Sequence, residues 1–367
     1  MILKRKIIFL FTIFFILNFL ICLKFNTAQI SYESVELTEL GQIETGGSAC
    51  TVQIVKNIAY VADDFSGLHI INVTNPSNPK ELAFVEVAHS YSVVVFDQYA
   101  YASSLYDGLF IYDISDPMNP FELGGYTDDR GRSSQVSYLN NLVFLANGYD
   151  GLEIIDVSDP QDPFELGNFT DIGDVRTLFL EEQFCFVGAK ISDTTSSLRI
   201  LNVTNTSVPT QIARYDTSGE VTDIFVEDDL LYFSTWDYGF EVFNISNIHE
   251  PFPIFSYNSI GHTVNIITGE NLLWESSYFT GVRVYDITNI TEPIELFNYV
   301  DGGDAIGLFK HEDILFVADK SDGLEILQIT IITSETPFPF KSGIIIITTI
   351  VSFIEFKKRR VKNKHNL

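Results

Sequence analysis

A motif of about 42 residues recurs seven times along this chain, and a repeat of that length constrains the fold more than any other feature. Each copy contains an apolar segment, a tight turn, and a second apolar segment that ends in Asp, Asn or Gln. The turn residue is glycine in six copies and serine in the fourth, at positions 67, 108, 151, 197, 239, 281 and 323. The copies are therefore spaced 41, 43, 46, 42, 42 and 42 residues apart.

Each of the first six copies carries four short segments with the alternation and the β-branched or aromatic content of strands. In the second copy these segments are residues 91–96, 100–103, 109–114 and 121–126. Four strands in about 42 residues is the period of a β-propeller blade. No helical pattern of useful length occurs before residue 338. The sequence therefore predicts an all-β fold, a seven-bladed β-propeller of four-stranded blades.

Residues 38–43 predict how the ring closes. Six copies continue after the proline turn with a fourth strand, such as residues 164–169, whereas the seventh copy stops near Ile329. Residues 38–43 resemble that fourth strand and precede the first copy. Pairing this N-terminal strand into the last blade would leave no open edge between the two ends of the ring.

The repeated phrases also resemble a known family. Residues 112–117 are Tyr-Asp-Ile-Ser-Asp-Pro and residues 155–160 are Ile-Asp-Val-Ser-Asp-Pro, each after a glycine turn, and residues 59–63 are Ala-Tyr-Val-Ala-Asp. These phrases look like the LVIVD repeat, and the resemblance covers residues 38–330. It implies a surface β-propeller but no particular chemistry, because that family has no common assigned activity. The fourth copy departs most, since Ser197 replaces the glycine and residues 190–196 lengthen its hairpin.

The two ends of the chain predict export and membrane attachment. Lys4, Arg5 and Lys6 precede an apolar run over residues 7–23, so residues 1–28 are interpreted as a signal peptide or an uncleaved signal anchor. Residues 31–330 form the propeller, 331–337 a linker, 338–356 a transmembrane helix and 357–367 a basic cytoplasmic tail. A buried β-strand is the alternative for 338–356. Because basic residues stay cytoplasmic, the propeller is expected at the cell membrane, facing the extracellular side.

The charge of the body excludes nucleic acid as a partner. Residues 25–340 contain 11 basic side chains and 48 acidic ones, a formal net charge of −37. Such a body repels phosphate, because binding nucleic acid requires neutralising its backbone with cations.

The Asp or Asn at the end of each third strand is expected to form an Asx turn with the local backbone. Where the residue is Asn, the Ser or Thr two positions later also makes it an N-glycosylation sequon in an exported protein. The six sequons lie at Asn72, Asn168, Asn202, Asn205, Asn244 and Asn289.

Acidic residues concentrate in the loops predicted to share one face of the propeller. Calcium takes six to eight oxygen ligands, so these loops could supply a Ca²⁺ site, although no EF-hand spacing is present. The candidate metal ligands are Asp171, Asp174, Asp301 and Asp304. A solvated acidic surface without a cofactor is the alternative interpretation.

No local motif of a hydrolase or a phosphate-binding loop is found, so we assign no catalytic residues and expect no enzyme. A propeller enzyme could still assemble a site in its central funnel, where four candidates are Arg130, Arg132, Arg176 and His262. Cys50 and Cys185 fall in different blades and are predicted to be buried thiols rather than a disulfide.

We therefore expect a membrane-anchored extracellular scaffold that binds protein or glycan, or mediates adhesion, through its loop face. One alternative is a surface enzyme, a glycan hydrolase or lyase. Another is a calcium-dependent adhesion module. Trp236 and Trp274, near hairpin ends, are candidates for the core or for stacking on a sugar ring.

Overall fold

The computed structural model describes residues 30–127, 131–259 and 261–335. In these residues the chain forms 28 β-strands arranged as seven four-stranded antiparallel sheets. Each sheet is one blade, so the all-β, seven-bladed propeller predicted from the repeat is confirmed.

Blades 1 to 6 are each built from four consecutive strands. Blades 1 and 2 contain β2 (Ala49–Val55), β3 (Ile58–Asp63), β4 (Gly67–Asn72), β5 (Lys80–Val85), β6 (Ser90–Phe96), β7 (Tyr99–Ser104), β8 (Gly108–Asp113) and β9 (Phe121–Tyr126). Blades 3 and 4 contain β10 (Ser133–Leu139), β11 (Leu142–Asn147), β12 (Leu152–Asp156), β13 (Phe164–Phe169), β14 (Asp174–Glu181), β15 (Phe184–Ser192), β16 (Thr195–Asn202) and β17 (Thr210–Thr217). Blades 5 and 6 contain β18 (Val221–Glu227), β19 (Leu230–Thr235), β20 (Gly239–Asn244), β21 (Phe252–Tyr257), β22 (Thr263–Gly269), β23 (Leu272–Ser277), β24 (Gly281–Asp286) and β25 (Ile294–Tyr299).

Blade 7 joins the two ends of the chain. It consists of β26 (Gly307–His311), β27 (Ile314–Asp319) and β28 (Gly323–Glu335), with β1 (Ile30–Ile43) as its outer strand. The closing strand is therefore longer than the predicted segment 38–43, and β28 continues past Ile329. Both strands extend because each supplies backbone hydrogen-bond partners to the other. Residues 34–331 form one compact unit, and 30–33 and 332–335 belong to a second.

Apolar packing between blades also closes the ring. Val61 in blade 1 and Phe316 and Leu324 in blade 7 belong to one buried cluster. Their exposed fractions are 0 to 2%, so each side chain contributes on the order of 1.5–3 kcal/mol of burial. The first and last blades therefore share a core in the same way as consecutive blades do.

Side-chain hydrogen bonds also connect the inner strands of neighbouring blades. The backbone N–H of Val95 donates to Gln53 Oε1 at 2.5 Å, and that of Leu178 donates to Gln135 Oε1 at 2.9 Å. The N–H of Leu308 likewise donates to Asn265 Oδ1 at 3.1 Å. An inner strand is a sheet edge facing the central channel, and these contacts satisfy backbone donors that the sheet leaves free.

The predicted Asx turns are present in six blades. The side-chain Oδ1 at the end of each third strand accepts from the backbone N–H two residues later, at 2.8–3.0 Å. The accepting residues are Asn72, Asp113, Asp156, Asn202, Asn244 and Asp286. Turn geometry therefore explains why Asp and Asn interchange at this position.

The fourth blade differs as its sequence predicts. Its central hairpin is lengthened, because β15 extends to Ser192 and β16 begins at Thr195. The six turn glycines elsewhere have φ between 75° and 108°, a region that favours glycine, whereas Ser197 lies inside β16. The longer hairpin therefore removes the need for glycine at this position.

The predicted signal segment, transmembrane helix and basic tail lie outside the described residues. Among the residues described, no helix has the length and apolar character needed to cross a bilayer.

Candidate ligand-binding face

One face of the propeller carries the candidate site, and we call it the mouth face. The strands of each blade are antiparallel, so the loop that enters the inner strand and the hairpin between the second and third strands lie at the same end. The mouth face consists of these loops from all seven blades.

A cavity of about 530 Å³ opens at the centre of the mouth face. Every blade contributes to its wall, through Cys50, Tyr91, Ser134, Arg176, Thr222, Asn265 and Gly307 in blade order. This volume lies within the range of small-ligand pockets. The ring of inner strands thus forms the wall of a single central site, which we call the central cavity.

The cavity wall carries both signs of charge. Arg176 pairs with Asp174 Oδ2 at 2.9 Å and with Glu220 on the neighbouring blade. Lys190 Nζ lies 3.6 Å from Glu220 Oε2. The Arg176 guanidinium therefore holds two carboxylates of different blades against the cavity.

Asp223 lies in the same wall and has an unusual environment. Burial raises the pKa of its carboxyl to about 7, although its Oδ2 accepts from Ile266 N at 3.0 Å and from Asn265 Nδ2 at 2.6 Å. A carboxyl of this kind is partly protonated near neutral pH, so it can act as a hydrogen-bond donor or a proton source.

Exposed aromatic side chains surround the mouth, and we call this set the aromatic crown. All of them lie in hairpins between second and third strands, and they are 47–74% exposed. The crown consists of Phe65, Tyr106, Tyr149, Tyr238 and Phe279. Sequence reasoning missed it, although an aromatic residue one or two positions before five of the six turn glycines was the available signal.

Two histidines tie neighbouring mouth-face loops together. His89 Nδ1 lies 2.8 Å from Asp64 Oδ1 of the preceding blade. His262 Nδ1 lies 3.0 Å from the Trp236 carbonyl oxygen, and the two rings stack with centroids 4.5 Å apart. These histidines hold hairpin tips of adjacent blades in place.

The funnel residues predicted from the sequence are partly brought together. Arg132 and Arg176 line the central cavity with Asp174, Glu220 and Asp223, and His262 lies beside the rim. Arg130 lies outside the described residues.

The two predicted cysteines are buried, in β2 and β15. Burial raises the pKa of the Cys50 thiol to about 12, so it is overwhelmingly protonated at neutral pH although it borders the cavity.

The four predicted metal ligands fall in different environments. Asp174 pairs with Arg176, the Asp171 carbonyl oxygen accepts from Arg199, and Asp304 lies 3.7 Å from Lys320 Nζ. These contacts do not bring the four side chains together as one ligand set.

Asp301 instead groups with two acids that the candidate ligand set omitted. Carboxylate oxygens of Asp301, Asp319 and Glu325 all lie within 4.8 Å of one another, and we call this group the blade-7 triad. Burial is the largest cause of the raised pKa values of Asp319, about 7, and Glu325, about 8. Oxygen ligands at this spacing suit a hard cation such as Ca²⁺.

The predicted sequons divide by exposure. Asn168, Asn205 and Asn289 are exposed, whereas Asn72, Asn202 and Asn244 are partly buried. Their glycosylation remains a prediction.

Comparison with known proteins supports the assignment of the repeat. The LVIVD repeat family matches residues 46–86, 89–128, 130–171 and 218–259. No match was found among curated proteins. A solved structure of a computationally designed protein, Ika8, is 12% identical, with a TM-score of 0.59 over 77% of this chain and 83% of that chain, a likeness of fold alone. The chain is a seven-bladed β-propeller that carries the LVIVD repeat.

Proposed function

We propose that this protein is an exported binding module that holds a protein or glycan ligand against the mouth face. The observation that carries the proposal is the aromatic crown around the central cavity. Exposed aromatic side chains on a rigid scaffold supply contact area at low entropic cost and dominate many interfaces. They also stack on sugar rings, so both ligand classes suit the face.

The test is a binding screen of the full-length chain in neutral detergent against glycans and surface proteins. The Phe65→Ser, Phe279→Ser double variant should weaken binding at least tenfold, because it removes two crown side chains that are already exposed in the free protein. The matched control is Phe121→Ser, Phe164→Ser, which removes two rings of outer strands that are also more than half exposed. Equal binding by both variants would exclude the crown as the binding surface.

We also propose that the propeller is anchored in the cell membrane through residues 338–356 and faces outward. The basic cluster after this segment supports that orientation. Protease treatment of intact cells should remove the propeller while the membrane-bound fragment stays protected. Full protection of the propeller would contradict the orientation.

Asp223 supports a second candidate function, a glycan hydrolase or lyase. A buried carboxyl with a pKa of about 7 in a cavity has the protonation that a general acid needs. If the protein releases new reducing ends from a glycan, Asp223→Asn should abolish the activity, and Asp228→Asn, on a hairpin at the opposite end of the same blade, should retain it. Retained activity in Asp223→Asn would exclude this role.

The blade-7 triad supports a calcium-dependent version of the binding function. Calcium held by these three carboxylates would fix the loop that enters the last blade. Calcium should then strengthen ligand binding by the native chain but not by Asp319→Asn. Equal binding with calcium and with a chelator would contradict the dependence.

A further inference from the structure

A second cavity of about 480 Å³ adjoins the central cavity on the mouth face, and we call it the side groove. Its walls are the lengthened hairpin of blade 4 and the hairpin tip and entry loop of blade 5. Glu220 and Trp236 line both cavities. An extended ligand could therefore run from the centre of the propeller outward through this groove.

The side groove is acidic. Glu220 is balanced by Arg176 and Lys190, but Asp193 and Asp237 are exposed and are paired with no Lys or Arg among the described residues. The Asp237 carboxylate lies 3.3 Å from His262 Nδ1. The two exposed carboxylates thus lie on different blades, Asp193 on the hairpin of blade 4 and Asp237 on the hairpin tip of blade 5.

The aromatic side chain of Trp236 lines the groove where it adjoins the central cavity. Trp236 stacks on His262 with an interplanar angle of 13° and meets the ring of Tyr278 edge-on, with centroids 5.6 Å apart. Its orientation is therefore fixed before a ligand arrives. Tyr238 supplies a second aromatic ring in the lining.

On the mouth face, one ammonium group of the chain already lies over an aromatic ring. Lys320 Nζ lies 3.5 Å from the centroid of the Tyr278 ring, the neighbour of Trp236. An aromatic face beside a carboxylate attracts a cation through both the ring quadrupole and the opposite charge. The side groove offers the same combination with no lysine or arginine of this chain seated on Trp236 among the described residues.

We infer that the side groove docks a basic segment of a partner protein, placing a lysine or arginine side chain against Trp236 with Asp193 and Asp237 as the carboxylates that line the same groove. This inference rests on the proposed function and names its partner class. The net charge of −37 on residues 25–340 draws such a segment to the mouth face and repels an anionic one.

The chain contains two tryptophans, and they allow a site-specific test. Trp274 is fully buried in blade 6, whereas Trp236 is partly exposed in the groove. Titration of the full-length protein with hexalysine should change the tryptophan emission saturably. The change should require several-fold more peptide at 0.5 M NaCl than at 0.05 M, because salt screens exposed charges.

Two double variants separate the groove from the general charge of the protein. Asp193→Asn, Asp237→Asn should weaken hexalysine binding about tenfold, since it removes the two exposed carboxylates of the groove that are paired with no Lys or Arg among the described residues. Asp228→Asn, Asp229→Asn removes the same charge from the opposite end of blade 5 and should leave the affinity within about twofold. Both substitutions in each variant are at exposed positions, so folding should be preserved.

Equal weakening by the two double variants, or tighter binding of hexaglutamate than hexalysine, would overturn the inference. Crown-dependent binding of a neutral glycan with no response to hexalysine would overturn it too, while leaving the proposed function standing. Absence of any ligand in the crown-dependent screen would instead remove the proposed function itself.

Discussion

The blade-7 triad makes the stability of this protein depend on pH in a defined direction. Burial raises the pKa of Asp319 to about 7 and that of Glu325 to about 8, and the nearby Asp301 raises both further. In the unfolded chain both groups return to ordinary values near 4. Between these pH values the folded state binds more protons than the unfolded state. The contribution of the two groups to the free energy of unfolding is therefore fully present below about pH 4, and it is lost as the pH rises through 7 to 8.

Replacing one member of the triad with its neutral isostere should remove much of this loss. We choose Asp319→Asn, because Asn147 occupies the equivalent position at the end of the second strand of blade 3. The Asp319 Oδ1 accepts from the Asp304 N–H at 2.7 Å, a bond that an amide oxygen can keep. A pKa raised by about three units corresponds to roughly 4 kcal/mol at high pH. Because the triad members are coupled, we expect about 2–4 kcal/mol for one substitution.

Thermal unfolding between pH 4.5 and 8.5 measures this effect. At pH 8.5 Asp319→Asn should melt about 3–8 °C above the native chain, and at pH 4.5 the two should agree within about 1 °C. The control is Asp63→Asn in blade 1, whose carboxylate accepts from Ser48 N at 2.5 Å and Thr45 Oγ1 at 2.5 Å. That variant should lose about 1–2 kcal/mol at neutral pH, because these donors converge on the carboxylate.

Two results would refute the reasoning. One is a native melting temperature that rises from pH 5 to pH 8, and the other is an Asp319→Asn variant that is less stable at pH 8.5. Calcium supplies a second arm at pH 8. If the triad binds it, millimolar calcium should raise the melting temperature of the native chain and not that of Asp319→Asn. No shift in the native chain would exclude a calcium site there.

Three further predictions concern single residues. Gly281→Ala should cost about 2–4 kcal/mol in urea unfolding, since its φ is 75° and an added Cβ would lie 2.0 Å from the Tyr299 carbonyl oxygen; native stability would contradict this. Gln135→Leu should lower the free energy of unfolding by about 1–3 kcal/mol in the same assay, because it leaves the buried N–H of Leu178 without its acceptor. An unchanged urea midpoint would show that this hydrogen bond between blades is dispensable. Cys50 should resist iodoacetamide at pH 8 until the chain is denatured, as followed by mass spectrometry; rapid labelling of the native protein would contradict its burial.

The strands of the blades could be predicted from sequence because the same pattern recurs in seven copies, so the strand positions in one copy support those in the others. The four segments expected in the second copy coincide with β6 to β9 within one or two residues at each end. The extension of β1 to Ile30 and of β28 to Glu335 could not be anticipated in the same way. The two strands are neighbours in one sheet, and their extensions have no counterpart elsewhere in the repeat.

The ion pairs at the mouth face could not be predicted from the sequence repeat. Arg176 meets Glu220 across a sequence separation of 44 residues, and His89 meets Asp64 across 25. A repeat aligns equivalent positions in different blades, but these contacts join non-equivalent positions of neighbouring blades. Which acid neutralises which base depends on how far each side chain reaches in the folded protein, and a repeated sequence pattern does not contain that distance.

The two ends of the blades differ in what the repeat preserves. Opposite the mouth, the Asx turn is kept in six blades with one contact and one pair of residue types, because the backbone there has the same geometry each time. At the mouth, the residue that ends the second strand varies among Asp63, Ser104, Asn147, Thr235, Ser277 and Asp319. The turn glycine of the same hairpins is nevertheless kept in six blades, with φ between 75° and 108°, so the backbone is preserved at the mouth as well. The side chain that varies at the mouth therefore lies on a common backbone, beside the cavity, the crown and the side groove, and variable side chains on a rigid frame suit ligand recognition there.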